Sequence, residues 1–228
     1  MKENKRILVV AAHPDDEILS CGGTIVKMIR QGYEAHALIL GEGVTSRDDK
    51  RMVKERKSEL DQLKGHVKKA GQTIGFKNVT VKDLPDNRFD SVPLLDVVKI
   101  VEETKVKIKP SIIFTHYSND LNIDHSVAYR AVITAARPMA GEMVKEIYAF
   151  ETVSSTEWMY PLSFSPDVFV DISQTIEVKL KALKEYKVEM RDASHPRSIE
   201  GVELLAKLWG KKSGLGCAEA FKAVRILR

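Results

Sequence analysis

The sequence predicts an α/β fold, a Rossmann-like three-layer αβα sandwich with a mainly parallel sheet. At least three apolar runs of strand character are each followed by a stretch of helical periodicity. This alternation is typical of βαβ units with helices on both faces of one sheet. Polar residues stand at the end of two of these runs, where α/β sheets bind their ligands. A length of 228 residues, without repeats or a linker, favours a single domain over 1–228.

The elements follow in order along the chain. The first strand occupies the apolar part of 7–17 and leads into a helix that ends near Gln31-Gly32, since glycine tolerates the positive φ of a helix C-terminus. The closing segment 218–225 is assigned no element. Further strands are expected at 34–40, 79–84 and 110–116, with short strand-like runs at 146–151 and 166–171. Further helices are expected at 47–74, 94–108, 126–137, 176–188 and 198–209.

Composition and charge narrow the function classes. Hydrophobic residues make up 43% and charged residues 30% of the chain, which are ordinary values for a globular protein. A net charge of +4 against 36 basic and 32 acidic residues does not indicate nucleic-acid binding. Cys21 and Cys217 form no disulfide or metal pattern, which favours free thiols in a reducing compartment. Because no membrane span and no apolar leader before His13 is evident, we expect a cytoplasmic protein.

The stretch 13–17, which reads His-Pro-Asp-Asp-Glu, separates the first strand from the first helix. His13 and Asp16 are three residues apart and can reach one cation from one tight turn. Imidazole nitrogen and carboxylate oxygen are common ligands of zinc. Helix capping and the helix dipole are the alternative explanation for any one of the carboxylates. Capping does not require a histidine beside three successive acids, so the sequence predicts a metal site.

A second histidine-bearing turn follows the strand at 110–116. His125 lies beyond the carboxyl end of that strand and at the start of the next helix, as His13 does for the first strand. If the two strands are close neighbours, His13, Asp16 and His125 supply three protein ligands. A fourth position then remains for water, which is the arrangement of a catalytic rather than a structural zinc site.

Together these motifs resemble those of a known family. Ala-His-Pro-Asp-Asp-Glu at 12–17 and Asp-His at 124–125 are similar to the motifs of the zinc-dependent de-N-acetylases of the phosphatidylinositol-glycan class L (PIG-L) and LmbE type. Ser-His-Pro-Arg-Ser at 194–198 and Ala-Glu-Ala-Phe at 218–221 resemble C-terminal segments of that family. The resemblance extends over essentially the whole chain.

The resemblance implies a hydrolase that uses a metal-activated water to remove the acetyl group from an N-acetylglucosamine-like sugar. Zn²⁺ is the expected cofactor, with Fe²⁺ as the alternative because a His/His/carboxylate set suits several divalent ions. Asp15 corresponds to the family's non-ligand general base, since a metal-bound carboxylate would lose its basicity. Arg56 has the family's Arg-x-x-Glu spacing and, with Asp120, is assigned to substrate binding.

At one position the sequence departs from the family pattern. Many members carry a histidine three residues before the distal metal histidine, and here that position is Asn122, which we also assign to substrate binding. An amide donates a hydrogen bond but cannot act as an acid. His195, with His116 behind it, is our candidate for the missing acid or oxyanion partner, a structural role being the alternative for either. Asp124 is expected to orient a neighbouring imidazole.

Two other function classes remain open. The first is a different metal-dependent amidase or esterase on the same scaffold. The second is a non-enzymatic Rossmann-like binding module, but the first turn lacks Gly-x-Gly-x-x-Gly and its acids would repel a pyrophosphate. Triad chemistry is disfavoured because the chain has no Gly-x-Ser-x-Gly elbow. The expected partner is therefore a small-molecule N-acetyl sugar or sugar conjugate, with homo-oligomer formation left open.

Overall fold

The computed structural model describes residues 4–228 and confirms the predicted α/β fold, with helices on both faces of one mostly parallel, seven-stranded sheet. Residues 1–3, part of the charged N-terminal stretch on which the expectation of no leader rested, lie outside the described residues. The strands are β1 (Arg6–Ala11), β2 (Glu34–Gly41), β3 (Asn78–Leu84), β4 (Ile112–His116), β5 (Glu146–Phe150), β6 (Val168–Asp171) and β7 (Ala218–Ile226). The helices are α1 (Asp16–Arg30), α2 (Lys57–Ile74), α3 (Leu94–Ile108), α4 (Ile123–Ala135), α5 (Ile176–Leu183) and α6 (Ile199–Ser213).

The order of strands in the sheet is β3-β2-β1-β4-β5-β7-β6. Strand β1 runs parallel to β2 on one side and to β4 on the other, with Ile7 paired to both Ala35 and Ile112. Strands β3 and β5 extend the parallel part of the sheet on either side. The carboxyl ends of β1 and β4 therefore lie side by side, as the predicted metal site requires.

Alternate residues of β1 face two separate cores. Ile7 and Val9 pack with α1, α2, α5 and α6 on one face of the sheet, whereas Leu8 and Val10 pack with α3 and α4 on the other. All four side chains are fully buried. Burying one such side chain stabilises a fold by about 1.5–3 kcal/mol, so β1 is firmly held beneath the turn that follows it. Within residues 4–228, no helix combines the length and apolarity needed to cross a bilayer.

Helix α2 begins at Lys57 and not at residue 47, so the predicted start was wrong. The preceding residues form a short 3₁₀ turn, Thr45–Arg47, and then a loop. In that loop the guanidinium of Arg51 donates two hydrogen bonds of 2.8 Å to the carboxylate of Glu42. Regular spacing of charges is typical of an exposed helix, but it also suits a loop held by ion pairs.

Helix α4 spans Ile123–Ala135, three residues before the predicted start at 126 and two before the predicted end at 137. The C-terminal third contains further differences. Helix α5 ends at Leu183 and not at 188, and α6 continues to Ser213 and not only to 209. The closing segment, which was assigned no element, forms β7 and pairs antiparallel with β5 and with β6. Because β7 lies between those two strands, it makes the sheet mixed. Local pattern does not reveal this pairing, since the partners are distant in sequence.

Candidate active site

The first half of the site is the turn between β1 and α1. Asp16 is the first residue of α1, and its Oδ2 atom accepts a hydrogen bond of 2.8 Å from the backbone N–H of His13. Asp15 occupies the N-cap position without making a side-chain capping bond, and its φ of 105° lies in the left-handed region. Such a conformation costs a non-glycine residue about 1–3 kcal/mol. Helix capping therefore does not explain the side chain of Asp15.

The second half is the loop between β4 and α4, which brings His125 to the same place. His125 Nε2 lies 3.4 Å from Asp16 Oδ2, and His13 Nδ1 lies 3.3 Å from the same oxygen. Each of the three side chains offers one ligand atom, and these atoms all lie within 4.8 Å of one another. The structure thus brings together the three residues that were predicted to hold a metal.

This cluster fits a divalent cation. Asp16 Oδ1 and His125 Nε2 are buried without a hydrogen-bond partner, which is costly unless a ligand engages them. Burial alone would raise the pKa of Asp16, but the neighbouring His125 holds this pKa well below its usual range. Burial alone would lower the pKa of His13, but the carboxylates of Asp124 and Asp16 raise this pKa well above its usual range. The site favours positive charge, and a cation supplies that charge while displacing protons.

Two buried carboxylates orient the imidazoles from behind. Asp124 Oδ2 lies 2.9 Å from His13 Nε2, which is the orienting contact expected for Asp124. Asp120 Oδ1 lies 3.0 Å from His125 Nδ1. When these two ring nitrogens carry the protons, His13 Nδ1 and His125 Nε2 present lone pairs toward Asp16. Metal-ligating histidines require that tautomer, and such carboxylate partners set it.

Asp120 is placed differently from the substrate contact predicted for it. Its side chain is buried, and its Oδ1 atom accepts a hydrogen bond of 2.9 Å from the backbone N–H of Asn122. The hydroxyls of Ser155 and Thr156 donate to the two carboxylate oxygens. Since the protein already engages both oxygens, the contacts favour a role in orienting His125 over a contact with substrate.

Asp120→Asn should weaken metal binding about 10- to 100-fold, which is the usual loss when the partner of a ligating histidine is removed. The amide keeps the size of the carboxyl group but loses its charge and one of its acceptors. Competition with a chromophoric chelator measures the affinity for Zn²⁺. Asp167→Asn is the control, because Asp167 is exposed and paired with Lys222 on the surface. Unchanged affinity in Asp120→Asn contradicts the orienting role.

Asp15 stands apart from the metal-ligating atoms. Its carboxyl group is fully buried; Oδ2 lies 3.3 Å from Arg197 Nη1, and Oδ1 has no hydrogen-bond partner. Burial raises the pKa of Asp15 well above its usual range, although the charge of Arg197 opposes the rise. A buried carboxyl with a raised pKa, next in sequence to a predicted metal ligand, suits the general-base role predicted for it.

Arg197 is the residue that sequence reasoning missed in the segment 194–198. The histidine of that segment, His195, was assigned instead. The Nδ1 atom of His195 accepts a hydrogen bond of 3.0 Å from the backbone N–H of Arg197, and its ring lies edge-on to Trp158 with 5.6 Å between ring centroids. The side chain that this loop brings against Asp15 is thus the guanidinium, and catalysis by His195 stays a prediction.

Asn122 and His116 support the two turns. Asn122 is the N-cap of α4, with its side-chain oxygen accepting a hydrogen bond of 2.9 Å from the backbone N–H of Asp124. His116 Nε2 accepts one of 2.9 Å from the backbone N–H of Ala12, and its ring stacks on His125 at 3.9 Å between centroids. Burial, together with the charge of His125, lowers the pKa of His116 well below its usual range. A neutral ring that accepts at Nε2 is unsuited to the acid role considered for it.

Arg56 lies at the N-cap of α2 and is held there by acidic neighbours. Its guanidinium donates two hydrogen bonds of 2.8 Å to Asp48 and one of 2.7 Å to Glu59. These donors are engaged by the surface of α2 and its preceding loop, and not by the metal cluster. A contact between Arg56 and the substrate stays a prediction.

Asp86 is an acidic neighbour of the site that the sequence left without a role, although the polar loop 85–90 that carries it was expected at this edge of the sheet. Its Oδ1 atom lies 3.4 Å from His13 Nε2, and His13, Asp86 and Asp124 form a second group of atoms within 4.8 Å of one another. Here, however, Asp86 Oδ2 accepts from the backbone of Ser46, and Asp124 Oδ1 accepts from that of Phe89. The partnerless atoms of Asp16 and His125 therefore make the first group the better cation site.

Comparisons with known proteins connect this geometry to a family. A sequence model of the GlcNAc-PI de-N-acetylase (PIG-L) family matches residues 8–136, the part of the chain that carries both halves of the metal cluster. The chain is 29% identical over 187 residues to the uncharacterised deacetylase YaiS of Escherichia coli, and this match covers 81% of this chain and 92% of YaiS. It is 28% identical over 181 residues to the probable N-acetyl-α-D-glucosaminyl L-malate deacetylase 2 of Bacillus cereus. This match covers 78% of this chain and 81% of the Bacillus protein.

Solved structures share the whole fold. The N,N'-diacetylchitobiose deacetylase of Pyrococcus horikoshii has a TM-score of 0.76 and 19% identity, and the match covers 98% of this chain and 85% of that one. GalB, the 4-carboxy-2-hydroxymuconate hydratase of Pseudomonas putida, has a TM-score of 0.73 and 20% identity, with 98% of each chain covered. At these identities the likeness shows the fold alone, and that fold supports more than one reaction.

Proposed function

Since the chain belongs to the GlcNAc-PI de-N-acetylase (PIG-L) family, we propose that it is a metal-dependent deacetylase of N-acetylglucosamine or of its conjugates. The observation that carries this proposal is the convergence of His13, Asp16 and His125 beside the buried Asp15. The relatives from Bacillus and Pyrococcus are named as deacetylases of N-acetyl-α-D-glucosaminyl L-malate and of N,N'-diacetylchitobiose. Both of those substrates are N-acetylated sugars.

The proposed reaction needs one base and one proton transfer in each direction. A bound cation supplies a Lewis acid for the acetyl carbonyl and, in the case of zinc, lowers the pKa of water to about 7. Asp15 removes a proton from the attacking water as the water oxygen bonds to the carbonyl carbon. The same carboxyl group returns that proton to the nitrogen as the C–N bond breaks, so that the amine and acetic acid leave, and the second water proton, still on the acid, then passes to the amine or to solvent. His13, Asp16 and His125 hold the cation and take no part in this proton transfer.

Several finer points stay predictions. They are substrate binding by Arg56 and Asn122, and by Asp120, for which the contacts favour the orienting role instead. They also include Zn²⁺ with Fe²⁺ as the alternative, a single domain over 1–228, a cytoplasmic location and the absence of nucleic-acid partners. For Asn122 and Arg56, binding a sugar hydroxyl requires exchanging the present hydrogen bonds for new ones. Such an exchange costs little only when the new partner is equally well placed.

The proposed function is tested with purified protein that has been stripped of metal by a chelator and reloaded with Zn²⁺ or, under anaerobic conditions, with Fe²⁺. N-acetylglucosamine, N,N'-diacetylchitobiose and N-acetylglucosaminyl conjugates serve as substrates. We expect equimolar acetate and free amine from the reloaded protein, and neither product from the stripped control. If no substrate yields amine with either ion, the proposed function is wrong.

A different metal-assisted reaction of water is the alternative, and the fold likeness to GalB is the observation that favours it. The products distinguish the classes. Hydration adds water across a carbon–carbon double bond and releases no acetate, whereas an esterase releases an acid without forming an amine. A 4-carboxy-2-hydroxymuconate arm and an acetyl-ester arm in the same assay therefore separate the three reactions.

A further inference from the structure

We propose that Arg197 is a positioning residue that keeps the carboxylate of Asp15 off the metal. Asp16 is then the one ligand of the two adjacent aspartates, and Asp15 remains available as the base. The catalytic part of this proposal rests on the proposed function, whereas the part about metal ligation rests on geometry alone. Arg197, from the loop before α6, thus determines which of the two adjacent aspartates binds the metal and which acts as the base.

Nothing in the chemistry of their side chains decides which of Asp15 and Asp16 ligates the metal. They are consecutive, both buried, and identical in ligand chemistry. Asp16 Oδ2 lies 3.3 Å from the nearest ring nitrogen of His13 and 3.4 Å from that of His125. Asp15 belongs to neither of the metal-ligating groups found within residues 4–228. Its Oδ2 atom instead contacts Arg197 Nη1 at 3.3 Å.

The same contact leaves Asp15 free to take a proton. Its backbone N–H donates a hydrogen bond of 3.0 Å to Glu17 Oε2, which holds the main chain, while Arg197 holds one carboxylate oxygen. The other oxygen, Oδ1, is buried without a partner. Without the guanidinium, rotation of the side chain would turn a charged oxygen toward the cation. Attraction between opposite charges is strong in such a buried site, so the carboxylate would bind the metal.

The loop that carries Arg197 is held in place from both ends. Ser198 is the N-cap of α6, and its Oγ atom accepts a hydrogen bond of 2.9 Å from the backbone N–H of Gly201. His195 Nδ1 accepts from the backbone N–H of Arg197 itself. A Cβ atom at Gly201 would lie 2.5 Å from the carbonyl oxygen of Pro196, so only glycine permits so tight a start to the helix. These contacts fix the main chain around Arg197, and its guanidinium extends from there to Asp15.

Arg197→Met removes the charge and keeps much of the side-chain length, and Co²⁺ is the probe because its visible absorption reports coordination number. We expect a weaker, shifted absorption as Asp15 enters the coordination sphere. Co²⁺ should also bind about tenfold tighter by chelator competition, because a negative ligand is added and a nearby positive charge is removed. The kcat of the loaded enzyme should fall by about 10²–10⁴-fold, which is the contribution of a general base. Arg197→Lys keeps a positive charge and should retain the wild-type spectrum.

The double variant Asp15→Asn/Arg197→Met separates positioning from a general effect on folding. An amide at position 15 offers no competing charge, so the spectrum should return to that of the wild type. The proposal is overturned if the altered spectrum persists in the double variant or never appears in Arg197→Met. Arg225→Met is the matched control and should change neither spectrum nor kcat. Arg225 is also half-buried with a partnerless Nε, but it donates to the carbonyls of Ala136, just after α4, and of Val144, just before β5.

The two proposals fail separately, because the spectra require no substrate. A wild-type protein that binds Co²⁺ but deacetylates no substrate contradicts the proposed function. The Co²⁺ spectra of wild type and variants still test the role of Arg197 in that case. A wild-type protein that deacetylates, with Arg197→Met unchanged in both kcat and spectrum, contradicts the positioning role alone.

Discussion

Asp15→Asn is expected to lower the kcat of deacetylation by about 10²–10⁴-fold without reducing the metal content of the protein. The amide matches the carboxyl group in size but cannot accept the proton of the attacking water. Asp15 lies outside the group formed by His13, Asp16 and His125, so the variant keeps all three ligands. The kcat and the bound metal per chain are to be measured on the same preparation. Loss of metal from Asp15→Asn would mean that base and ligand are wrongly assigned.

The neighbouring variant Asp16→Asn is the matched comparison. Both positions are buried, so any general effect of burying an amide is common to the two. Asp16→Asn changes the carboxylate whose Oδ1 has no hydrogen-bond partner and whose Oδ2 faces both imidazoles. We therefore expect Asp16→Asn to lose both metal and activity. The metal content distinguishes the two variants, since activity is low in both.

His13→Ala and His125→Ala are each expected to abolish metal binding, and activity with it. Each change removes one of the three side chains that we propose as ligands in the cluster. A ligand that binds only the folded state at a hundred times its Kd stabilises that state by about 2.7 kcal/mol. Zn²⁺ should therefore raise the unfolding temperature of the wild type and leave that of the two variants unchanged. Thermal unfolding with and without Zn²⁺, together with elemental analysis, provides the measurement.

His36→Ala is the control for removing a buried imidazole. His36 lies in β2, where its Nε2 atom is 3.0 Å from Glu34 Oε1, near the start of the strand and away from the carboxyl edge. This variant should lose stability but keep the full rise in unfolding temperature with Zn²⁺. A rise of wild-type size in both His13→Ala and His125→Ala contradicts the assignment of the metal cluster.

Much of the fold follows from local pattern. The apolar run before position 13 predicted β1, and the periodicity of 94–108 predicted α3 with the bounds that the structure has. Such patterns depend only on which face of one helix or strand is buried, and the residues of that face lie within one short stretch of sequence. The start of α2 and the strand β7 depend instead on ion pairs and strand partners from elsewhere.

The candidate site divides in the same way. The sequence alone determined that His13, Asp16 and His125 stand at the ends of strands or the starts of the helices that follow, because each lies beside its own apolar run. The tertiary structure decided that β1 and β4 are adjacent, which turns two separate turns into one cluster. Strand order is set by packing of the whole sheet, and no single segment encodes it.

Only the tertiary structure decided which side chains surround that cluster. Asp86 reaches His13 from the loop after β3, and Arg197 reaches Asp15 from the loop before α6. Asp120, predicted to meet the substrate, faces His125. The physical reason is that contacts between loops depend on their paths and on which charges are buried together. The sequence alone determined a strand–acidic turn–helix unit and its metal-binding residue types, whereas the packed structure decided which acid each histidine and arginine contacts.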